Sequence, residues 1–491
     1  MYTSPLIQLF SIGWAIAVLA NPGFTKAADQ SDDKPNVILV VVDDLGWMDL
    51  SCQGSQFYKT PHIDGLAVQG IRFLNGYAAS AVCSPTRAAI QTGRYPHRLG
   101  VTDWIRSRFQ RASQEPITSN PTEYTSAPKQ SLSCPPNPYF LDPSELTIAD
   151  MLSSSGYRCG YVGKWHLGDE DFYPEKRGYH VNKGGCDYGQ PPSYFDPFNN
   201  PMHPNPMIKA GIYNLPGKNP GEFLTKRESD EVVSLIEAWR DQPFFIQLSH
   251  YAVHTPIQAQ AQVEAKYSNV PGKTKQNAKY AAMVESVDES MRSIRECLEK
   301  WKLTDNTIVI FTSDNGGLDN KGEPTDNAPL RSGKGYAYEG GIRVPLIVCW
   351  PGQIPANSVS SAPVSSIDFF PTILEACRTQ APKDRSIDGI SLVSHLKSGG
   401  SQSLSRSDLV WHFPHYRHDP GPYSILRSGP WKLIKYWHGK QELFQLNDDP
   451  TESNDLAAAF PKRVQEMDKL LVDKLQSDGA KLPRPNPNYI P

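Results

Sequence analysis

Residues 36–42 read NVILVVV and stop at Asp43 and Asp44. An unbroken apolar, β-branched run has no polar face to offer water, so it fits a strand buried on both sides, as in a parallel sheet. Such sheets hold ligands beyond the carboxyl ends of their strands, and this strand ends in two carboxylates. Apolar runs recur at 157–162, 244–248, 307–311 and 344–350, with helical periodicity between them at 229–239 and 278–301. Strands alternating with helices predict a doubly wound α/β domain. Asp314 and Asn315, just past the run at 307–311, then reach the same edge as Asp43 and Asp44.

The pattern changes after about residue 400. Short runs at 409–413, 423–427, 431–436 and 442–445, then a helical stretch at 461–477, predict a small antiparallel sheet with one helix. The chain therefore divides into a leader (1–27), a large α/β domain (28–400) and a C-terminal α+β subdomain (401–491). Stretches 101–144 and 191–220, rich in turn-forming residues and without sustained period, read as surface excursions, the first of them a lid.

With 49 Lys+Arg against 52 Asp+Glu, the formal net charge of -3 offers no basic field for a phosphate backbone, which excludes nucleic acid as a partner. Residues 6–20 are apolar but short and interrupted by Gln8 and Ser11, and Thr25-Lys26-Ala27 supplies small residues for cleavage. This reads as a signal peptide, although no Lys or Arg precedes Leu6; the alternative is an uncleaved anchor. No later stretch reaches the roughly 20 apolar residues of a membrane span, so the expectation is an exported protein, periplasmic or secreted. The eight cysteines are scattered and form no CxxC pair, which argues against a disulfide scaffold or a zinc site. With Cys83 committed to chemistry, seven remain, so at least one thiol is unpaired.

Several short strings carry chemistry. Cys83-Ser84-Pro85-Thr86-Arg87 is followed by Thr92-Gly93-Arg94. Gly163-Lys164-Trp165-His166-Leu167-Gly168 and His254-Thr255-Pro256 each follow an expected strand, and Gly333-Lys334-Gly335 precedes Glu339-Gly340-Gly341-Ile342-Arg343-Val344-Pro345. Each has a bland reading: a buried free thiol, a solvated Lys–His pair, a flexible glycine loop. Together, in this order, they resemble the formylglycine-dependent (arylsulfatase-like) sulfatases, and the likeness runs on to Glu442-Leu443-Phe444-Gln445-Leu446 and Asp448-Asp449-Pro450. Gln91 departs from that family, which has an apolar residue before Thr-Gly-Arg.

The resemblance implies an alkaline-phosphatase-like fold, with a large, mostly parallel sheet, and oxidation of Cys83 to an aldehyde by a maturing enzyme. A thiol adduct on sulfur would be hard to break. In an aldehyde hydrate one hydroxyl attacks sulfur and releases the alcohol; loss of the second hydroxyl's proton then expels sulfate and restores the aldehyde. Pro85 suits the first turn of a helix that starts at the nucleophile and faces the anion. By the same resemblance Arg87 holds the hydrate, Lys164 clamps the sulfate and His166 takes the second proton. His254 and Lys334 reach the leaving-group oxygen. His250, nearer the strand, reads as structural. Asp43, Asp44, Cys83, Asp314 and Asn315 are the implied metal ligands. Oxygen ligands favour Ca2+ or Mg2+ over zinc, and the choice of Ca2+ rests on the resemblance.

Trp411-His412-Phe413-Pro414-His415-Tyr416 and residues 185–195 are similar to segments of bacterial polysaccharide sulfatases. Aromatic faces with imidazoles suit a sugar, so His412 and His415 are the expected substrate-binding residues. The expected function is hydrolysis of a sulfate ester on a sulfated carbohydrate. The alternatives are a phosphonate or phosphodiester hydrolase of the same superfamily and a non-catalytic sulfated-glycan-binding protein.

Overall fold

Asn36–Val42 is a strand with every residue buried, and it lies inside the sheet as its sequence requires. The structure, a computed structural model, describes residues 34–111, 115 and 117–490, with Met1 and Tyr2. The expected leader at 1–27 lies outside the described residues apart from its first two. Eight strands make the large sheet: Asn36–Val42 (β1), Ile71–Phe73 (β2), Arg158–Gly163 (β3), Val181–Lys183 (β4), Phe244–Ser249 (β5), Thr307–Ser313 (β6), Leu346–Cys349 (β7) and Ser358–Ser360 (β8). They run β8-β2-β7-β6-β1-β5-β3-β4 across the sheet. Only β7 is antiparallel to its neighbours, and the remaining pairs are parallel. The sheet is thus mostly parallel and flanked by helices. Among the described residues no helix is long and apolar enough to cross a membrane. All eight cysteines are free.

Helices Pro61–Gln69 (α1), Cys83–Thr92 (α2), Leu224–Trp239 (α3) and Lys275–Lys300 (α4) matter most for the site. The long α4 starts at a capping box. Thr274 Oγ1 accepts the Asn277 N–H and Asn277 Oδ1 accepts the Thr274 N–H, satisfying two helix-end donors. From α4, Asp288 accepts the His62 and Ile63 N–H groups at the start of α1, at 2.9 and 2.8 Å.

All of α2 is buried. Its polar side chains are therefore matched: Gln91 Nε2 donates to Gln247 Oε1 at 2.8 Å, and the Tyr179 hydroxyl donates to Gln91 Oε1 at 3.1 Å. That network accommodates the polar departure at position 91 without an orphaned amide. α2 ends at Gly93, whose φ of 68° suits glycine and whose added Cβ would lie 2.9 Å from Phe370 Cβ.

Asp408–Phe413 (β9), Tyr423–Ser428 (β10), Trp431–Tyr436 (β11) and Gln441–Gln445 (β12) form the small antiparallel sheet, in that order. Its two faces follow the period-2 alternation of the strands. Val410, Leu426, Leu433 and Leu443 pack on Val464, Met467 and Leu471 of the helix Pro461–Ser477 (α5). Leu409, Trp411, Phe413, Ile425 and Phe444 pack on Ala81, Val82, Ala337 and Ile342. The second face therefore backs the chain immediately before Cys83 and just after Lys334.

Lys432 of β11, fully buried, fastens this contact, with Nζ 2.9 Å from Glu339 Oε1 and 2.7 Å from Glu452 Oε1. Lys432→Met removes the cation shared by two buried carboxylates, leaving Glu339 with Arg343 and Tyr77 and Glu452 with the Glu339 N–H, and we expect a loss of about 3 kcal/mol of stability. Denaturant unfolding measures it; a variant as stable as wild type would contradict the staple.

Candidate active site

The ends of β1 and β6 bring Asp43, Asp44, Asp314 and Asn315 together, all buried. Asp44 takes a left-handed φ of 61°, which aspartate tolerates better than most residues. Ligand atoms of Asp43, Asp44, Cys83 and His254 accordingly lie within 4.8 Å of one another. Asn315 Nδ2 donates to Asp44 Oδ1 at 2.8 Å, and its Oδ1 is buried without a hydrogen-bond partner. Three cations face the carboxylates. Lys164 Nζ is 2.6 Å from Asp43 Oδ2, Lys334 Nζ is 2.6 Å from Asp44 Oδ1, and Arg87 Nε donates to Asp314 Oδ2 at 2.8 Å.

Burial pushes Asp43 up to about 8 against the pull of Lys164. Against the same burial penalty, Lys334 and His254 hold Asp44 below the ordinary carboxylate range. Three carboxylates with an amide oxygen that has no other partner fit a hard divalent ion such as Ca2+.

Cys83 is the first residue of α2, and its Sγ lies 3.7 Å from Asp43 Oδ1. Burial pushes its thiol up to about 11, so it is not a thiolate at neutral pH. A cavity of about 180 Å3 opens over it, lined also by His166, His254 and Lys334. His166 Nε2 is 2.7 Å from the Ile105 carbonyl, while Nδ1 is buried without a partner. A carbonyl only accepts, so Nε2 carries the proton and Nδ1 keeps its lone pair. Burial, Lys164 and Arg87 hold this imidazole neutral, well below its ordinary pKa. Gly189 lines the cavity beside it, and a Cβ there would lie 2.8 Å from His166 Cε1. His254 Nε2 is 3.5 Å from Asp44 Oδ2, and burial and Lys334 push that ring down to about 3.

The structure thus gathers Asp43, Asp44, Cys83, Arg87, Lys164, His166, His254, Asp314, Asn315 and Lys334 at one strand-end cleft. His250 is buried between Glu228 and Ser290. Contrary to the sequence expectation, His412 and His415 are not brought to the cavity. His412 alternates to the α5 side of β9, where Nδ1 meets Ser424 Oγ at 2.7 Å and Nε2 meets the Lys481 carbonyl at 3.2 Å. His415 Nε2 meets Thr102 Oγ1 at 2.8 Å. Both are buried and engaged in holding the fold. Trp104, Gln110, Gln190 and Arg417 do line the cavity; Gln190 falls in the segment 185–195 singled out from the sequence, and the other three were not anticipated. Trp104, Gln190 and Arg417 stand in irregular segments and Gln110 ends a single 3-10 turn, too short for periodicity to mark a residue.

The family described as sulfatase matches residues 35–378, and that described as N-sulphoglucosamine sulphohydrolase, C-terminal, matches residues 332–481. The chain belongs to the sulfatase family and is a sulfuric ester hydrolase. It is 32% identical to N-acetylgalactosamine-6-sulfatase of Homo sapiens over 388 residues, which cover 76% of this chain and 67% of that protein. It is 28% identical to N-acetylgalactosamine-6-O-sulfatase of Bacteroides thetaiotaomicron, over 94% of this chain and 96% of that one. Among solved structures, Ps i-CgsB in complex with k-i-k-neocarrahexaose is similar with a TM-score of 0.75 and 28% identity, covering 90% of this chain and 93% of that one.

Proposed function

We propose that this chain releases sulfate from a sulfated carbohydrate, using formylglycine made from Cys83 by a maturing enzyme and a Ca2+ ion held by Asp43, Asp44, Asp314, Asn315 and the altered residue 83. One observation carries the reading: Cys83 starts a buried helix 3.7 Å from Asp43, on the wall of a cavity shared with His166, His254 and Lys334. The carbohydrate assignment draws on the relatives named above, and export is the setting in which such a polymer is met.

The aldehyde hydrate would supply one hydroxyl to attack sulfur and a second whose proton is lost as sulfate leaves, and the ion would supply positive charge to the sulfate oxygens. The remaining work falls to the chain. Lys164 and Lys334 add charge around the sulfate, and the amino end of α2 adds helix-end donors facing the anion. Arg87, fixed by Asp314 and by the Lys164 carbonyl at 2.7 Å, orients residue 83. His166 Nδ1, with its free lone pair, takes a proton from that residue. His254 and Lys334 stand on the Asp44 side to serve the leaving oxygen; positioned acid–base groups of this kind contribute about 100- to 10,000-fold each.

Matured protein assayed on defined sulfated saccharides, with a phosphonate monoester in parallel, should release sulfate from at least one saccharide faster than it cleaves the phosphonate. Faster phosphonate cleavage, or saccharide binding with no release, would contradict the reading.

A further inference from the structure

The cavity carries one charge that the reaction does not account for. Among its lining residues the full charges belong to Lys334 and Arg417, and no carboxylate lines it. Lys334 is already matched by Asp44 at 2.6 Å. Arg417 has no hydrogen-bond or ion-pair partner among the described residues. It also sits at a different depth. Cys83 and Lys334 are 3% and 8% exposed, whereas Arg417 belongs to the exposed residues at the mouth. A group meeting Arg417 is therefore not the ester under attack but a more distant part of the same molecule.

The segment around this arginine is held on both sides. Before it, His415 is bonded to Thr102, and the Tyr416 hydroxyl accepts the Leu132 N–H at 3.1 Å. After it, the His418 ring stacks on Tyr336 with centroids 4.1 Å apart and planes nearly parallel. The Arg417 side chain lies over Gly335, next to Lys334, where an added Cβ would come 2.5 Å from its Nε. A guanidinium on a pinned segment loses less freedom on binding than a free surface arginine and presents a planar fork that fits a carboxylate or sulfate with two parallel hydrogen bonds.

We propose that Arg417 is a specificity residue that reads a second anionic group, carboxylate or sulfate, on the sulfated carbohydrate. This rests on the carbohydrate reading above.

The test uses matured wild type, Arg417→Ala and Arg417→Lys. The probes are disaccharides built on sulfated N-acetylgalactosamine and on sulfated galactose, differing only in a second substituent: carboxylate, sulfate or neutral hydroxymethyl. Arg417→Ala should lower kcat/KM on the doubly anionic probes by about tenfold or more beyond its loss on the neutral ones, mainly through KM. Arg417→Lys should recover part of it. The anion with the larger loss identifies the natural group. Equal losses on all probes would overturn the assignment and leave the carbohydrate reading intact. Wild type that cleaves 4-nitrophenyl sulfate but none of the disaccharides would contradict the carbohydrate reading and Arg417's role with it.

Discussion

Cys83→Ala is expected to lower kcat/KM by about 10,000-fold or more, since no other group at the site can form the covalent intermediate. The fold should survive. Alanine is the strongest helix former, α2 keeps its other buried contacts, and deleting one sulfur leaves a cavity smaller than a methylene series would, at a cost of about 1 kcal/mol. Unfolding curves and sulfate release on the same preparation separate the two effects. Substantial turnover by the folded variant would remove Cys83 from the chemistry.

The second large effect is expected at Asp44, where the proposed metal ligands and the cation proposed to serve the leaving oxygen meet. Its carboxylate faces Lys334 Nζ at 2.6 Å, Asn315 Nδ2 at 2.8 Å and His254 Nε2 at 3.5 Å. Asp44→Asn keeps the shape, removes a charge and turns an NH2 toward groups that are themselves donors. Outer partners of metal ligands cost about 10- to 100-fold in metal affinity or activity, so a direct ligand should cost at least about 100-fold in both. Ca2+ titration by calorimetry alongside sulfate release measures this, and excess Ca2+ should restore part of the rate. Unchanged ion affinity would separate Asp44 from metal binding.

Legibility in the sequence followed the physics of each segment. The strand at 36–42 and the helix at 278–301 were readable because a long run either has a polar face or lacks one. The observed α4 begins slightly earlier, at its capping box. The strands Ile71–Phe73 and Ser358–Ser360 were not readable: three residues carry no period, and their pairing is decided by distant partners. The strand-end carboxylates were legible because their positions follow from where a strand stops, whereas Cys83 was legible through the resemblance of its Cys-Ser-Pro-Thr-Arg string to the sulfatases. His412 was misread from its aromatic neighbours. Alternation along β9 held the answer, because Trp411 and Phe413 face one core and Val410 the other, leaving no face of that strand for a sugar. The contact of that segment with the cavity comes later, at Arg417, once the chain has left the strand.

Peptide mass spectrometry of residue 83 in active enzyme bears most directly on this chemistry, read together with the Ca2+ content of the same sample. The peptide should carry an aldehyde in place of the thiol, in a fraction that rises and falls with sulfate-releasing activity across preparations made with and without the maturing enzyme. Full activity from a sample whose residue 83 is still cysteine would contradict the account.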